Sequence, residues 1–231
     1  MKNYILLPIS VLSLIGIIIW QMFCANEVNY YIVSVSILVL SMLPFFASFE
    51  KKKISTGELT LTATLIAIAV VSRAVFYLIP QVKPIAAVVI VSAVCLGAER
   101  GYIVGAFSAF ISNFIFGQGY WTPFQMVALG MVGLVSGLIF KKLKVNKITL
   151  SIVGFVLTFA LYGVIVDAST IMIAYGTKVT LAGALTIYGA GVPFSAVFGA
   201  ATAVFLFLFG VPFIKKIDRI NTKYNITKAV L

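Results

Sequence analysis

The chain contains no histidine and only two cysteines, Cys24 and Cys95. A histidine–cysteine metal site is therefore unsupported, as are Ser/His/Asp and Cys/His catalytic arrangements. Charged residues make up 10% of the chain, and only 6 of them are acidic against 17 basic. No G-x-x-x-x-G-K-[ST] stretch occurs, so the chain has no P-loop of its own for a nucleotide. Short-period repeats and low-complexity stretches are also missing. What fills the sequence instead is apolar: 62% of 231 residues are hydrophobic, against ~45–50% in globular domains, and the mean hydropathy is +1.15. A soluble core of this length could not hide so much apolar surface. The composition excludes disorder, nucleic-acid binding and a separate soluble catalytic domain. It indicates a multi-pass, all-α membrane protein that is not an enzyme and needs no cofactor or metal.

A spanning helix takes roughly 20 apolar residues. Eight stretches qualify, at about 4–23, 30–49, 57–79, 84–98, 101–117, 122–140, 148–175 and 189–213. The first is read as a retained helix, because Gln21 to Asn26 is a poor cleavage site. Sorting the basic residues by connecting segment puts fourteen on one side. They are Lys2, Lys51 to Lys53, Arg100, the four lysines from Lys141 to Lys147, and Lys215, Lys216, Arg219, Lys223 and Lys228. The other side holds only Lys83 and Lys178. The positive-inside rule then predicts both termini in the cytoplasm. Cys24 and Cys95 fall near opposite faces and are expected to stay unpaired, as small buried apolar residues. Residues 1–54 read as an added N-terminal hairpin, and 55–231 as a six-helix core with a basic cytoplasmic tail.

Ionisable groups inside spans are costly and mark functional candidates. Arg73 and Asp167 are the two, both in the outer half of their spans. They either pair structurally or face a ligand cavity. Asn113 places an amide at a similar level, serving an interhelical hydrogen bond or a ligand. The most distinctive segment is Phe116-Gly117-Gln118-Gly119-Tyr120-Trp121-Thr122-Pro123-Phe124-Gln125, on the outer side. Its glycines permit close backbone approach. Tyr120 and Trp121 offer flat surfaces to a ligand, or form an interfacial belt. Thr122, Pro123 and Gln125 suit N-cap, N1 and N3 of a capping box, which would aim backbone N–H groups outward. Small residues recur at helical spacing: Ala63 and Ala67, then Gly101, Gly105 and Ala109, then Gly133 and Gly137. Such stripes let membrane helices approach closely.

The stretch Phe116 to Met126 resembles the FGQGxWTPxQM motif of one branch of the substrate-binding S components of energy-coupling factor (ECF) vitamin transporters. The six-helix pattern over about 55–214 is similar to theirs. The resemblance implies a subunit that captures a vitamin-like micronutrient from outside. It then docks on a membrane coupling subunit carrying two cytoplasmic ATPases and releases the ligand inward. It assigns the docking stripe to Ala63 and Ala67. Ligand contacts fall to Gln118, Gly119, Tyr120, Trp121 and Thr122, with the loops around Pro80–Pro84 and Tyr175–Tyr188. Joined to the intramembrane polar residues, the expected pocket comprises Arg73, Asn113, Gln118 to Thr122, Gln125 and Asp167. The motif's branch is linked with cobalamin; riboflavin or another flat heteroaromatic vitamin suits the same residues. Without histidine, nickel or cobalt ions do not fit the chain.

Three other readings compete. A stand-alone secondary transporter usually shows several intramembrane acids and an inverted repeat, and Asp167 is the one acid here. An intramembrane enzyme lacks the side chains for most hydrolase chemistry. An accessory subunit without a small-molecule ligand leaves the glycine–aromatic loop unexplained.

Overall fold

A computed structural model describes residues 55–176 and 178–224, together with Ser36 and Ile226. The described residues form six helices and no strand. Helix α1 is Thr56–Val75, α2 is Ile85–Leu96, α3 is Ala98–Phe116 and α4 is Thr122–Ile139. Helix α5 runs over Lys147–Tyr175 and α6 over Leu181–Tyr224. Four of them, α1, α4, α5 and α6, are long and apolar enough to cross a membrane.

The described residues thus give a membrane helical bundle, not eight spans. The stretches 4–23 and 30–49, with Cys24, lie outside the described residues. Helix α2 has twelve residues, about 18 Å of rise, against a hydrocarbon core of ~30 Å. Helix α3 opens with Glu99 and Arg100 and carries Ser108, Ser112 and Asn113 along its buried face.

Three helix starts have a side-chain cap as their local cause. Ser55 accepts the Glu58 N–H at 3.1 Å and caps α1. Asn146 and Thr149 form a reciprocal capping box on α5. Thr180 accepts the Gly183 N–H at 3.1 Å and starts α6, eight residues before the expected start at 189. The supposed Tyr175–Tyr188 loop therefore shrinks to Gly176–Thr180. At the other end of α1, the helix stops at Val75 rather than 79. Ile79 precedes Pro80, which disfavours helical backbone there, and the chain makes tight turns through Tyr77 and Ile79.

Every residue of α2 is buried, with α1, α3, α4 and α6 around it. Gly97 then reverses the chain in one residue, at φ 90°, a conformation that a side chain would strain. Helices α3 and α4 pack through the expected glycines. A methyl on Gly105 would run into the Leu129 carbonyl, and one on Gly133 into the Gly101 carbonyl. The stripes are backbone contact surfaces.

Arg100, expected in a loop, sits in the first turn of α3 and pairs with Glu58 of α1 at 2.5 Å. Cys95 is buried and free beside this end. The same end carries Lys141 to Lys147 and the last part of α6, Val211–Tyr224. There Ile214, Ile217 and Asn221 face the bundle, while Lys215, Lys216, Arg219 and Lys223 are exposed. The opposite end gathers the loop 76–84, the turn 117–121 and the segment 176–180.

Two π-helical turns widen the long helices, at Leu157–Tyr162 in α5 and Leu206–Gly210 in α6. Such turns shift the side chains after them around the helix. The first one ends on Tyr162, which belongs to the cavity described next.

Candidate functional site

At the end opposite the Glu58–Arg100 pair lies a cavity of about 270 Å³. Its apolar walls are Ile85 of α2, Leu129 of α4, Val166 of α5, and Phe194 and Phe198 of α6. Polar groups converge from Arg73, Gln81, Lys83, Gln125, Tyr162, Asp167 and Ser195. The space exists because α5 and α6 face each other with Gly163, Gly191 and Ser195. A methyl on Gly191 would collide with the Asp167 carboxylate.

Arg73 is only 9% exposed. It donates to Ser112 Oγ, and to Asn113 Oδ1 at 2.8 Å. Arginine offers donors alone, so the Asn113 oxygen must turn toward it. The Asn113 Nδ2 group, on a side chain 1% exposed, then donates to Gln125 Oε1 at 2.9 Å and Thr122 Oγ1 at 3.1 Å. That orients Gln125 in turn: its oxygen is taken by Asn113, and its NH2 group remains for the cavity it lines.

The Arg73 guanidinium lies 4.2 Å from the centroid of the Phe116 ring, and the Lys83 ammonium 4.8 Å from the same centroid. A cation over an aromatic face gains ~0.5–2 kcal/mol. A central Arg or Lys in a membrane helix costs ~2.5–3.5 kcal/mol on insertion scales. The ring alone does not offset that cost for Arg73, which adds its hydrogen bonds to Ser112 and Asn113. Arg73 and Asp167 form no ion pair with each other, so they share a cavity without pairing. Lys83, half-buried in the loop before α2, is held below the ordinary lysine range by burial and then by the Arg73 charge. Beside it Gln81 adopts φ 59°, a strained conformation for a residue with a side chain, of the kind found at ligand sites.

Of the residues expected in a pocket, Arg73, Gln125 and Asp167 line this cavity. Asn113 and Thr122 stand behind Gln125. Gln118 and Gly119 form a turn at the rim, where Gln118 Oε1 accepts from Thr122 Oγ1 at 2.9 Å and Gln118 Nε2 donates to the Phe110 carbonyl at 3.0 Å. Tyr120, 41% exposed, meets Trp121 edge-on at 4.9 Å. A methyl on Gly119 would come within 2.7 Å of the Trp121 ring, so this indole folds over its own turn instead of lining the cavity. The capping box expected at Thr122 does not form. Trp121 is the N-cap and has no side-chain cap bond. Thr122 Oγ1 instead accepts the Gly119 N–H at 3.2 Å and serves Asn113 and Gln118.

Several lining residues carried no sequence signal: Tyr162, Phe194, Phe198, and the small residues Gly163, Gly191 and Ser195. Lys83 had one, as one of the two basic residues on its side of the chain. The Pro80–Pro84 loop contributes Gln81 and Lys83, whereas no described residue from Tyr175 to Tyr188 lines the cavity. Ala63 and Ala67 are exposed on α1, away from Leu61, Leu65 and Ala69, which face the core. Among the described residues no group of His, Cys, Asp and Glu could hold a metal ion.

A family model, that of the ECF-type riboflavin transporter S component, matches residues 53–219. No curated protein and no solved structure matches the chain. The family is one of transporter subunits, not enzymes. The match takes in all of α1 to α5, most of α6 and every residue that lines the cavity. With its helical membrane bundle and this cavity, the chain belongs to the ECF-type riboflavin transporter S component family.

Proposed function

We propose that this chain captures a flavin-type vitamin, riboflavin being the simplest, in the cavity between Arg73 and Asp167. The observation that carries the reading is the cavity's make-up. Ligand pockets bury flat apolar bodies against aromatic walls and fix them with a few polar groups. Phe194, Phe198, Leu129 and Ile85 supply the walls; Gln81, Gln125, Tyr162, Asp167 and Ser195 supply polar contacts for a heterocycle edge and a polyol chain. A corrinoid has several times the heavy atoms of a three-ring heterocycle, and a 270 Å³ space suits it less. The loop that suggested cobalamin keeps its aromatics at the rim.

The cavity end is the outer one in this reading, and both termini are cytoplasmic. That follows from the basic residues crowding the opposite end. Residues 1–54 add a hairpin to a core of 55–231. Having no P-loop, the chain depends on a membrane coupling subunit with two cytoplasmic ATPases. Ala63 and Ala67 form the docking stripe, since they are small and exposed on a face of α1 that the bundle does not use. The test is to purify the chain, identify any co-purified small molecule by mass spectrometry, and titrate it with riboflavin while following flavin fluorescence. Saturable quenching is the expected result. A corrinoid in the purified protein, with no response to riboflavin, would reverse the assignment.

A further inference from the structure

Two cations border one side of the cavity with no carboxylate against them. Arg73 is buried and spends one nitrogen on Ser112 and Asn113. Lys83 makes no ion pair or hydrogen bond with a described residue. Both rest on the Phe116 ring, so they are no farther apart than the sum of their two distances to its centroid. Each positive charge disfavours the other, and an anion bound against both would relieve this. The acid in this cavity is Asp167, on α5 against Gly191 of α6, and it pairs with neither cation. The cavity therefore has two positive groups on the α1 and loop side and one carboxylate on the α5 side.

We propose that the occupant carries an anionic group, a phosphate monoester, seated between Arg73 and Lys83. The inference rests on the flavin reading and names which flavin the site prefers: the phosphorylated one. Charge-assisted hydrogen bonds to phosphate are the strong ones, and arginine's fork matches its oxygens. The order along the cavity also suits such a molecule. Lys83 stands in the loop at the mouth, where a charged end stays near water. The aromatic residues Phe194 and Phe198 stand on α6, where a heterocycle is shielded. Asp167 lies on the α5–α6 side and is kept apart from the phosphate.

The test compares two probes on the purified chain in phosphatidylcholine nanodiscs, free of anionic lipid that could place its own phosphate at the site. Riboflavin and riboflavin 5′-phosphate are titrated at neutral pH and low salt by fluorescence quenching. The phosphate ester should bind about tenfold or more tightly than riboflavin, as charged hydrogen bonds imply. Lys83→Gln should bring the ratio of the two affinities close to one, and Lys83→Arg should keep it. Inorganic phosphate should compete with the ester more than with riboflavin. Equal affinities in the unaltered chain, or a ratio unmoved by Lys83→Gln, would overturn the inference while leaving the flavin reading standing. Binding of neither flavin would overturn both.

Discussion

Arg73, at the end of α1, donates to the side-chain amide oxygen (Oδ1) of Asn113 on α3 at 2.8 Å. This one contact sets the polarity of the amide chain behind the cavity, from Asn113 to Gln125 and Thr122 and on to Gln118.

Asn113→Ala should damage both stability and binding. It removes an acceptor from Arg73 and the donor that orients Gln125, leaving buried polar groups unpaired at a cost of about 1–3 kcal/mol. Thermal unfolding in detergent should shift downward, and riboflavin affinity should fall because Gln125 is free to turn. An unchanged melting temperature would mean that water replaces the amide at no cost.

Trp121→Ala should change riboflavin affinity by less than about threefold, under 1 kcal/mol, because the indole covers Gly119 rather than the cavity. Fluorescence titration decides this. A loss of tenfold or more would show that the rim aromatics close over bound ligand.

The double substitution Ala63→Leu with Ala67→Leu should leave flavin binding intact and abolish uptake in cells that contain the coupling module. Both positions are exposed and lie away from the cavity, and bulk on a small-residue stripe separates helices. Full uptake would remove the docking role from this face.

Affinity for riboflavin 5′-phosphate should peak between two pH limits. It rises as the phosphate loses its second proton near pH ~6. It falls on the alkaline side as Lys83 loses its own, since the protonated lysine is the binding form. Burial and Arg73 hold Lys83 below the ordinary lysine range, so this fall comes earlier than for a free lysine. The other ionisable groups around the site are Arg73, Tyr162 and Asp167, with Tyr77 on the same Phe116 ring and Tyr188 beyond them on α6. Titrations across pH check the profile, with Lys83→Arg moving the alkaline limb upward.

The parts of the fold legible in the sequence were those with strong local causes. The apolar runs and the small-residue stripes of α3 and α4 followed from helical spacing. The end of α1 did not, because Tyr77 to Ile79 are apolar and the effect of Pro80 on them is a backbone matter. The start of α6 is not legible either, because Thr180 and Gly183 have the composition of a loop and only the folded chain shows them capping a helix. At the site, Arg73, Asn113 and Asp167 could be picked out because polar groups within spans are costly. Gly163, Gly191 and Ser195 could not. A cavity is made by side chains that are missing from two facing helices, and their pairing is visible only once α5 and α6 are packed. Chemical type points Tyr120 and Trp121 to the pocket, while a local contact with Gly119 decides where the indole lies.

The most direct measurement is a riboflavin titration of the purified chain beside Val166→Phe, which adds a ring to the cavity wall without touching the polar network. The account predicts saturable quenching by the unaltered chain and an affinity at least about tenfold weaker in the variant, a change of ~1.4 kcal/mol or more. Equal riboflavin affinity in a folded Val166→Phe variant, or no binding by the folded unaltered chain, would contradict it.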